Sequence, residues 1–187
     1  MSSTIRKKKL IQNGYSLLEI LLVIFIIALF SGISLPYFNA STSTKKLDQE
    51  AKQLIDVIEL AKAKASAGES NIAGCTIFKG YRVVFDTPPS PPTQYRLRAC
   101  CASTPAQLCD IPQDIQIYTI QPGMAYTFSA NLASPTNYIH FSNLKLGTTL
   151  SGNGIIRITN ASINKCIRVT VDRIGLVTET PRQTPPC

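Results

Sequence analysis

Histidine is nearly absent from this chain, which has six cysteines but only one histidine, His140. Zinc sites are built from closely spaced cysteine pairs that combine with a second pair or with histidines. The cysteines form no C-x-x-C pair. No metal site is therefore expected, and His140, which follows Tyr138 and Ile139, is predicted to be a strand-face or turn residue.

Acidic residues are also scarce, with 11 Asp and Glu against 19 Lys and Arg and a formal net charge of +8. After Asn71 the chain has few acids that could join a Ser/His/Asp arrangement around His140, and no G-x-S-x-G elbow supports one. The glycines at 151–154 are typical of a hairpin turn rather than a phosphate-binding loop. These absences predict a protein that is not an enzyme and has no cofactor. The acids are Asp86, Asp110, Asp114, Asp172 and Glu179.

Charge is missing altogether from residues 20–44, a stretch longer than the roughly 20 apolar residues that span a bilayer core. The basic residues Arg6 to Lys9 precede it and favour a cytoplasmic N-terminus. This pattern predicts a single-pass transmembrane helix in a bacterial inner membrane, with the remainder in the periplasm. The lipid bilayer is then an expected partner.

A lone carboxylate, Glu19, lies just inside this apolar run. A carboxylate at that depth costs about 2.5–3.5 kcal/mol on insertion scales, so it suggests a function and requires a partner. Cleavage after Gly14 would place the new α-amino group of Tyr15 one helical turn from Glu19, on the same face. The cut would therefore create the missing counter-charge.

Two simpler interpretations of the N-terminus remain open. An ordinary secretory signal peptide needs a small-x-small site after its apolar core, and residues 31–33 or 38–40 would serve. An uncleaved anchor is the second interpretation, and it leaves Glu19 without a reason to be there. Either one would leave a membrane-anchored or exported β domain with no filament role.

The basic leader ending at Gly14, the aromatic Tyr15, Glu19, the apolar run and Pro36 together resemble the class III signal of type IV prepilins and type II secretion pseudopilins. The resemblance implies a structural subunit that a prepilin peptidase cleaves after Gly14 and N-methylates at Tyr15. It also implies partners: other pilin or pseudopilin subunits and an inner-membrane assembly platform. In that family the position of Glu19 guides subunit packing in a filament.

Residues 45–67 carry apolar side chains at steps of three and four, which is the pattern of an amphipathic helix. Gly68 is a plausible stop for that helix, whereas Pro36 and Gly32 should kink or loosen the apolar half. Together, residues 15–67 are predicted to form one long, broken helix. The predicted buried stripe consists of Leu47, Ala51, Leu54, Ile55, Ile58, Ala61 and Ala65.

From Asn71 the chain switches to short runs of period two separated by Pro, Gly, Ser and Asn, which indicates a small β-rich domain. The proline-rich segment 87–93 cannot lie inside a sheet, because proline lacks the ladder donor, and it is predicted to be a loop. Nine strands are predicted, at 75–78, 81–85, 94–101, 115–120, 124–129, 138–142, 155–160, 166–171 and 176–179.

The predicted fold class is α+β, with a long N-terminal transmembrane and amphipathic helix packed on a small antiparallel β-rich head, the pilin fold. The predicted divisions are a leader at 1–14, a transmembrane helix at 15–38, an amphipathic helix at 39–68 and a globular head at 69–187. The final segment 167–177, with Gly175 in a turn, resembles the H-type minor pseudopilins and minor pilins of the GspH/FimT-like group. The large, cysteine-rich head and the lack of internal repeats favour a minor subunit.

All six cysteines lie on the side predicted to be exported, where disulfides are expected. The adjacent Cys100 and Cys101 should point to opposite faces of a strand and take different partners. Either of them could close a short loop onto Cys109, and Cys75 would take the remaining one. A Cys166–Cys187 bridge resembles the C-terminal disulfide loop of many pilins.

DNA binding is the main functional alternative, because some minor pilins of this group capture DNA for natural transformation. Several arginines fall on the polar phase of predicted strands and would neutralise phosphates in a salt-dependent way. The DNA-capturing relatives place further arginines around the final glycine turn, however, whereas Leu176 and Val177 follow Gly175 here. The candidate DNA contacts are Arg96, Arg98, Arg157, Arg168 and Arg173.

Overall fold

The computed structural model describes residues 16–68, 71–86, 92–107, 109–129, 132, 137–143 and 147–187, with residues 31–40 described by their backbone alone. Within these ranges the chain forms one helix, α1 (Leu17–Ser66), and eight strands. The strands are β1 (Ile77–Phe85), β2 (Gln94–Ala102), β3 (Ile111–Thr119), β4 (Met124–Phe128), β5 (Tyr138–Ser142), β6 (Gly154–Asn160), β7 (Lys165–Val171) and β8 (Val177–Gln183).

The strands form two four-stranded antiparallel sheets. Sheet A has the order β3-β2-β1-β5, and sheet B has the order β4-β6-β7-β8. Most neighbours in the sheets are also neighbours in sequence, as expected for hairpin-connected strands. The exceptions are β5, which returns to pair with β1, and β4, which pairs with β6.

The chain divides into two compact units, Met1–Ala40 and Ser41–Cys187. In the second unit, one face of α1 and one face of each sheet share a single hydrophobic core. The alternation of buried and partly exposed residues along β2 and β6 is what a strand with one solvated face requires. Aromatic rings of β1 and β4 meet between the sheets, since the Phe85 and Phe128 ring centroids lie 4.8 Å apart.

The buried stripe of α1 agrees with its predicted amphipathic pattern. Leu47, Ala51, Leu54, Ile58, Ala61 and Ala65 are all buried, and Ile55 is partly buried against the same core. Val57 and Glu50 are also buried, although the prediction did not include them. The helix ends where predicted, because Gly68 adopts a positive φ of 65° that side chains other than glycine rarely tolerate.

The predicted fold class is wrong. The second unit consists mainly of two antiparallel sheets, and among the described residues no helix is long and apolar enough to cross a membrane. The predicted transmembrane helix and the single-pass inner-membrane localisation are therefore contradicted.

Two predicted strands, at 75–78 and 81–85, are a single strand. β1 continues through Lys79 and Gly80 by means of a β-bulge between Phe78 and Gly80. Gly80 has a φ of 129°, and a Cβ there would lie 2.0 Å from the carbonyl oxygen of Phe141 on β5. The two separate strands predicted here are therefore wrong, because the sheet needs Gly80 inside the strand for close approach to the neighbouring strand.

Candidate functional site

The residues predicted to be processed, Gly14 and Tyr15, lie outside the described residues, as does the leader before them. The side chain of Pro36 and residues 87–91 of the predicted proline-rich loop lie outside them too. The backbone at Pro36 is part of α1, which runs as one helix from Leu17 to Ser66.

The first turns of α1 expose an apolar surface on every side. The large hydrophobic side chains between residues 17 and 30 have exposed fractions from 42% at Ile26 to 81% at Leu17. A helix that is apolar all round is normally buried, either in a protein core or among other helices. Contiguous apolar surface of this kind marks an interaction site.

Glu19 is the one carboxylate on this surface, and two different roles explain its position. Ser16 precedes the helix, and its carbonyl accepts the backbone N–H of Glu19 at 2.9 Å and that of Ile20 at 3.2 Å. A serine followed three residues later by glutamate is the capping-box sequence, and a negative charge in the first turn also suits the helix dipole. Glu19 is therefore placed either to cap the helix locally or to pair with another charge. A shallow groove of about 340 Å³ is lined by Glu19, Ile20, Val23 and Ile24.

A second carboxylate, Glu50, lies within the folded unit and is fully buried. It accepts a hydrogen bond from the Tyr126 hydroxyl at 2.8 Å and a longer one from the Gln121 backbone N–H at 3.4 Å. Burial raises the pKa of Glu50, and the two hydrogen bonds oppose that rise only in part. The hydroxyl of Tyr95 is enclosed nearby in the core without a partner among the described residues. The burial of Glu50 was not predicted from the sequence, although its position between Leu47 and Leu54 on the apolar face of the helix indicates it.

Tyr126→Phe is expected to lower the free energy of unfolding by about 1–3 kcal/mol, because it leaves the buried Glu50 without its best donor. Chemical unfolding of the full chain would measure this loss. In a Glu50→Leu background, Tyr126→Phe should lower the free energy of unfolding markedly less, since no carboxylate is then left without a hydrogen-bond donor. An equal cost in both backgrounds would show that the hydrogen bond contributes nothing.

The predicted arginines of sheet A are already paired with acids. Arg96 donates to Asp86 at 2.8 Å and to Asp114 at 2.7 Å, and Arg98 donates to Asp114. Partial burial raises the pKa of Asp114, but the hydrogen bonds from Arg98 and Arg96 outweigh it and hold the pKa below its usual value. These two guanidinium groups are therefore largely neutralised within the protein.

Two of the remaining predicted arginines lie on sheet B and Arg173 lies in the turn after β7, so the structure does not bring all five together in one row. Arg157 on β6 lies directly opposite Arg168 on β7, and Arg157 Nε donates to the main-chain oxygen of Cys187 at 2.6 Å. Arg173, in the turn after β7, donates to the carbonyl of Ser151.

His140 lies on β5, as a strand residue, and is completely buried. Its Nδ1 accepts a hydrogen bond from Arg82 Nε at 3.3 Å, and the Arg82 guanidinium also stacks over the Tyr138 ring at 4.2 Å from the centroid. Burial, and secondarily the charge of Arg82, lowers the pKa of His140 to about 4. The imidazole is therefore neutral at physiological pH and forms part of the β1–β5 contact.

All six cysteines form disulfides, so the expectation of disulfides is confirmed. Cys100 is the residue that closes onto Cys109, and Cys75 pairs with Cys101. Adjacent residues on β2 thus take different partners, as the alternation of side chains on a strand requires. The Cys166–Cys187 bridge that the pilin resemblance implied is also present, with Cα atoms 6.3 Å apart.

Within the described ranges, no group of three or more His, Cys, Asp or Glu side chains is arranged to hold a metal ion. Comparison with known proteins adds no identification, since no family model, curated protein or solved structure matches this chain.

Proposed function

We propose that the chain is a structural subunit, either a minor pilin or a pseudopilin, of a type IV pilus or a type II secretion pseudopilus. In this proposal a prepilin peptidase cleaves after Gly14, Tyr15 becomes the N-methylated first residue, and the N-terminal part of α1 packs among the helices of other copies on an assembly platform. The single observation that supports it best is the apolar surface of residues 17–30, exposed on all sides and carrying one carboxylate.

Hydrophobic burial provides the driving force for assembly. A Leu, Ile or Phe side chain contributes about 1.5–3 kcal/mol when it is removed from water, and more than ten such side chains are exposed here in consecutive turns. A filament with helices at its centre would bury them on every side at once. The folded unit Ser41–Cys187 has its own core, so it is able to cover the outside of such a filament without contributing to the helix packing.

Glu19 fixes the register of packing in this proposal. The α-amino group of Tyr15 would lie one turn away on the same helix or on a neighbouring copy, and a buried ion pair is better at specifying register than at adding net stability. Removing the Glu19 carboxylate is costly, because the α-amino group of Tyr15 is then left buried without a counter-charge.

Processing is tested first. The full chain is produced in cells with and without a prepilin peptidase, and its intact mass and N-terminal sequence are measured. A chain that starts at N-methyl-Tyr15 only when the peptidase is present supports the proposal. A chain that stays unprocessed, or that starts near residue 35 or 41, contradicts it.

Glu19→Ala and Glu19→Gln should both be processed normally yet enter filaments at less than a tenth of the wild-type level. An unpaired charge left in the packed core costs about 3–5 kcal/mol, which is more than tenfold in an equilibrium constant. Filaments sheared from cells and quantified by immunoblot give the measurement. Glu59→Gln, which neutralises a carboxylate of the same helix with only a 3.7 Å ion pair to Lys62, is the matched control and should assemble normally.

The glutamine variant separates pairing from capping. Glutamine keeps the capping-box hydrogen bond but has no charge. If Glu19→Gln assembles like the wild type while Glu19→Ala does not, Glu19 is only a helix cap and the proposed ion pair is wrong.

DNA capture is the less favoured function. Nucleic-acid binding of the non-specific kind depends on cations that remain available to phosphates. Arg96 and Arg98 are bonded to Asp86 and Asp114, and Arg173 is bonded to a backbone carbonyl. No continuous row of available arginines supports this role in the described part of the chain.

A further inference from the structure

A cleft in the folded unit lies where α1 meets the edge strand β8. Its volume is about 510 Å³, which is within the range of small-ligand sites. Residues of α1, of the start of β7 and of β8 contribute to its walls. The cleft is lined by Thr44, Asp48, Lys165, Glu179, Pro181 and Arg182.

The four charged side chains of this cleft sum to zero, but only two of them are paired. Arg182 Nε lies 3.2 Å from an oxygen of Asp48, so these two charges neutralise each other. Lys165 and Glu179 have neither an ion pair nor a side-chain hydrogen bond within the described ranges. A ligand with a single charge would be attracted by one of these two groups and repelled by the other. A ligand with one charge of each sign is attracted by both.

Strand register places the two unpaired charges at opposite ends of the cleft. Glu179 on β8 is opposite Val169 on β7. Lys165 lies four residues before Val169, which corresponds to about 13 Å along the strand. Because β7 and β8 are antiparallel, Arg182 lies beyond Glu179 in the direction of Lys165. The cleft therefore has a cationic end and a carboxylate end.

We propose that this cleft binds short peptides of two or three residues that carry a free amino group and a free carboxylate. Lys165 and Arg182 hold the carboxylate of the peptide, and Glu179 holds its ammonium group. Arg182 directs Nε toward Asp48, and its guanidinium group has further N–H donors for a charge-assisted bond to the carboxylate. Pro181 provides apolar surface between the two ends.

The distance between the two ends selects a peptide over a free amino acid. The amino and carboxylate groups of an α-amino acid are joined by one carbon, so they do not reach both ends at once. An extended chain spans roughly 3.3–3.6 Å per residue, so two or three residues reach about 7–11 Å. The Lys165 and Glu179 side chains, which line the cleft, bridge the remaining distance. All lining residues belong to the unit Ser41–Cys187, so the site does not depend on the proposed filament.

The binding test compares trialanine with three analogues on the full chain in detergent. The analogues are N-acetyl-trialanine, trialanine amide and free alanine. Dissociation constants are measured by ligand-observed NMR titration at low ionic strength, where exposed charges are screened least. We expect trialanine to bind about fivefold more tightly than each analogue, which is the effect of losing one favourable exposed ion pair.

Two variants assign the two ends of the peptide. Glu179→Gln should bind trialanine about fivefold more weakly than the wild type, and N-acetylation should then cause no further loss of affinity. Lys165→Gln should show the same pattern with trialanine amide. In each case the substitution and the analogue remove the same contact, so their effects on affinity should not add.

The matched control carries Glu59→Gln and Lys79→Gln, which remove one charge of each sign outside the cleft. Glu59 forms a 3.7 Å ion pair with Lys62, and Lys79 donates to the Pro105 carbonyl. The affinity of this control for trialanine should stay within about twofold of the wild type, since distant exposed charges are screened. Undetectable binding of trialanine, equal affinities for trialanine and its blocked analogues, or an equal loss in the control would overturn the proposal. Free alanine that binds as tightly as trialanine would overturn it in favour of an amino-acid site.

Discussion

Phe85→Ala is expected to lower the free energy of unfolding by about 3–5 kcal/mol, the range for truncating a fully buried aromatic side chain. Phe85 is only 1% exposed and lies where the two sheets meet. Its ring centroid is 4.8 Å from that of Phe128, 5.7 Å from Tyr95 and 5.9 Å from Tyr126. The substitution removes contacts to both sheets at once and leaves a cavity that neither sheet can fill alone.

Chemical unfolding of the disulfide-intact chain measures this loss. Phe85→Leu keeps most of the apolar volume and should cost markedly less. Phe78→Ala is the control for losing a ring from the same strand, since Phe78 is only partly buried and contacts Tyr81 in an edge-on geometry at 5.2 Å. If Phe85→Ala costs no more than Phe78→Ala, the aromatic cluster is not what joins the sheets.

Acidification from pH 7 to pH 4 is expected to remove up to about 3 kcal/mol of stability through His140 alone. Burial lowers its folded pKa to about 4, against an ordinary value of 6.5. Between these two values the unfolded chain binds a proton that the folded chain does not, so stability falls as the pH falls. The loss starts near the unfolded pKa and is complete below the folded one.

Burial, and secondarily the charge of Arg82, explains why protonation of His140 is unfavourable. An imidazolium there would face the Arg82 guanidinium across a 3.3 Å contact that now joins a donor to a lone pair. Its Nε2 is also enclosed without a hydrogen-bond partner among the described residues. Asn replaces the Nδ1 acceptor with a carbonyl oxygen and does not titrate. His140→Asn should therefore flatten the stability curve between pH 6.5 and pH 4, and an unchanged slope would exclude His140 as its source.

Glu50 contributes to the same pH range with the opposite sign. Its folded pKa is raised above 4.5, so the folded chain takes up a proton before the unfolded chain does, and stability rises as the pH falls through the folded pKa. Glu50→Gln removes that gain and should make the acid loss steeper than in the wild type. Measuring the free energy of unfolding of His140→Asn and Glu50→Gln across this pH range separates the contributions of the two residues. The wild-type curve shows only their sum.

Much of the local structure was predictable because burial leaves a periodic signal. β5 was predicted with its observed bounds, and the strands at β2, β4, β6 and β7 were predicted to within one residue at each end. The stripe of α1 followed from steps of three and four. The errors came where a local pattern competed with tertiary structure: the two strands predicted at 75–78 and 81–85 are one bulged strand that contains Gly80, and β3 starts four residues before the predicted position.

The candidate site was predictable only in part. Glu19 and the six cysteines were identified from the sequence, because an isolated charge in an apolar run and the positions of cysteines are visible without coordinates. Which arginines are neutralised was not visible, since Asp114 meets Arg96 and Arg98 only through the β2–β3 pairing. The buried carboxylate of Glu50 and its donor Tyr126 are separated by 76 residues, so their contact also depends on the fold.

The sequence by itself determined the helical stripe, most strands, the apolar surface before the folded unit and the requirement that Cys100 and Cys101 take different partners. These properties depend on neighbours within a few residues, whose geometry is the same in any helix or strand. Tertiary structure alone decided the division into two sheets, the choice between Cys100 and Cys101, and the pairing of Arg96 and Arg98 with Asp114. Those outcomes depend on which distant segments meet, and only burial in a common core brings them together.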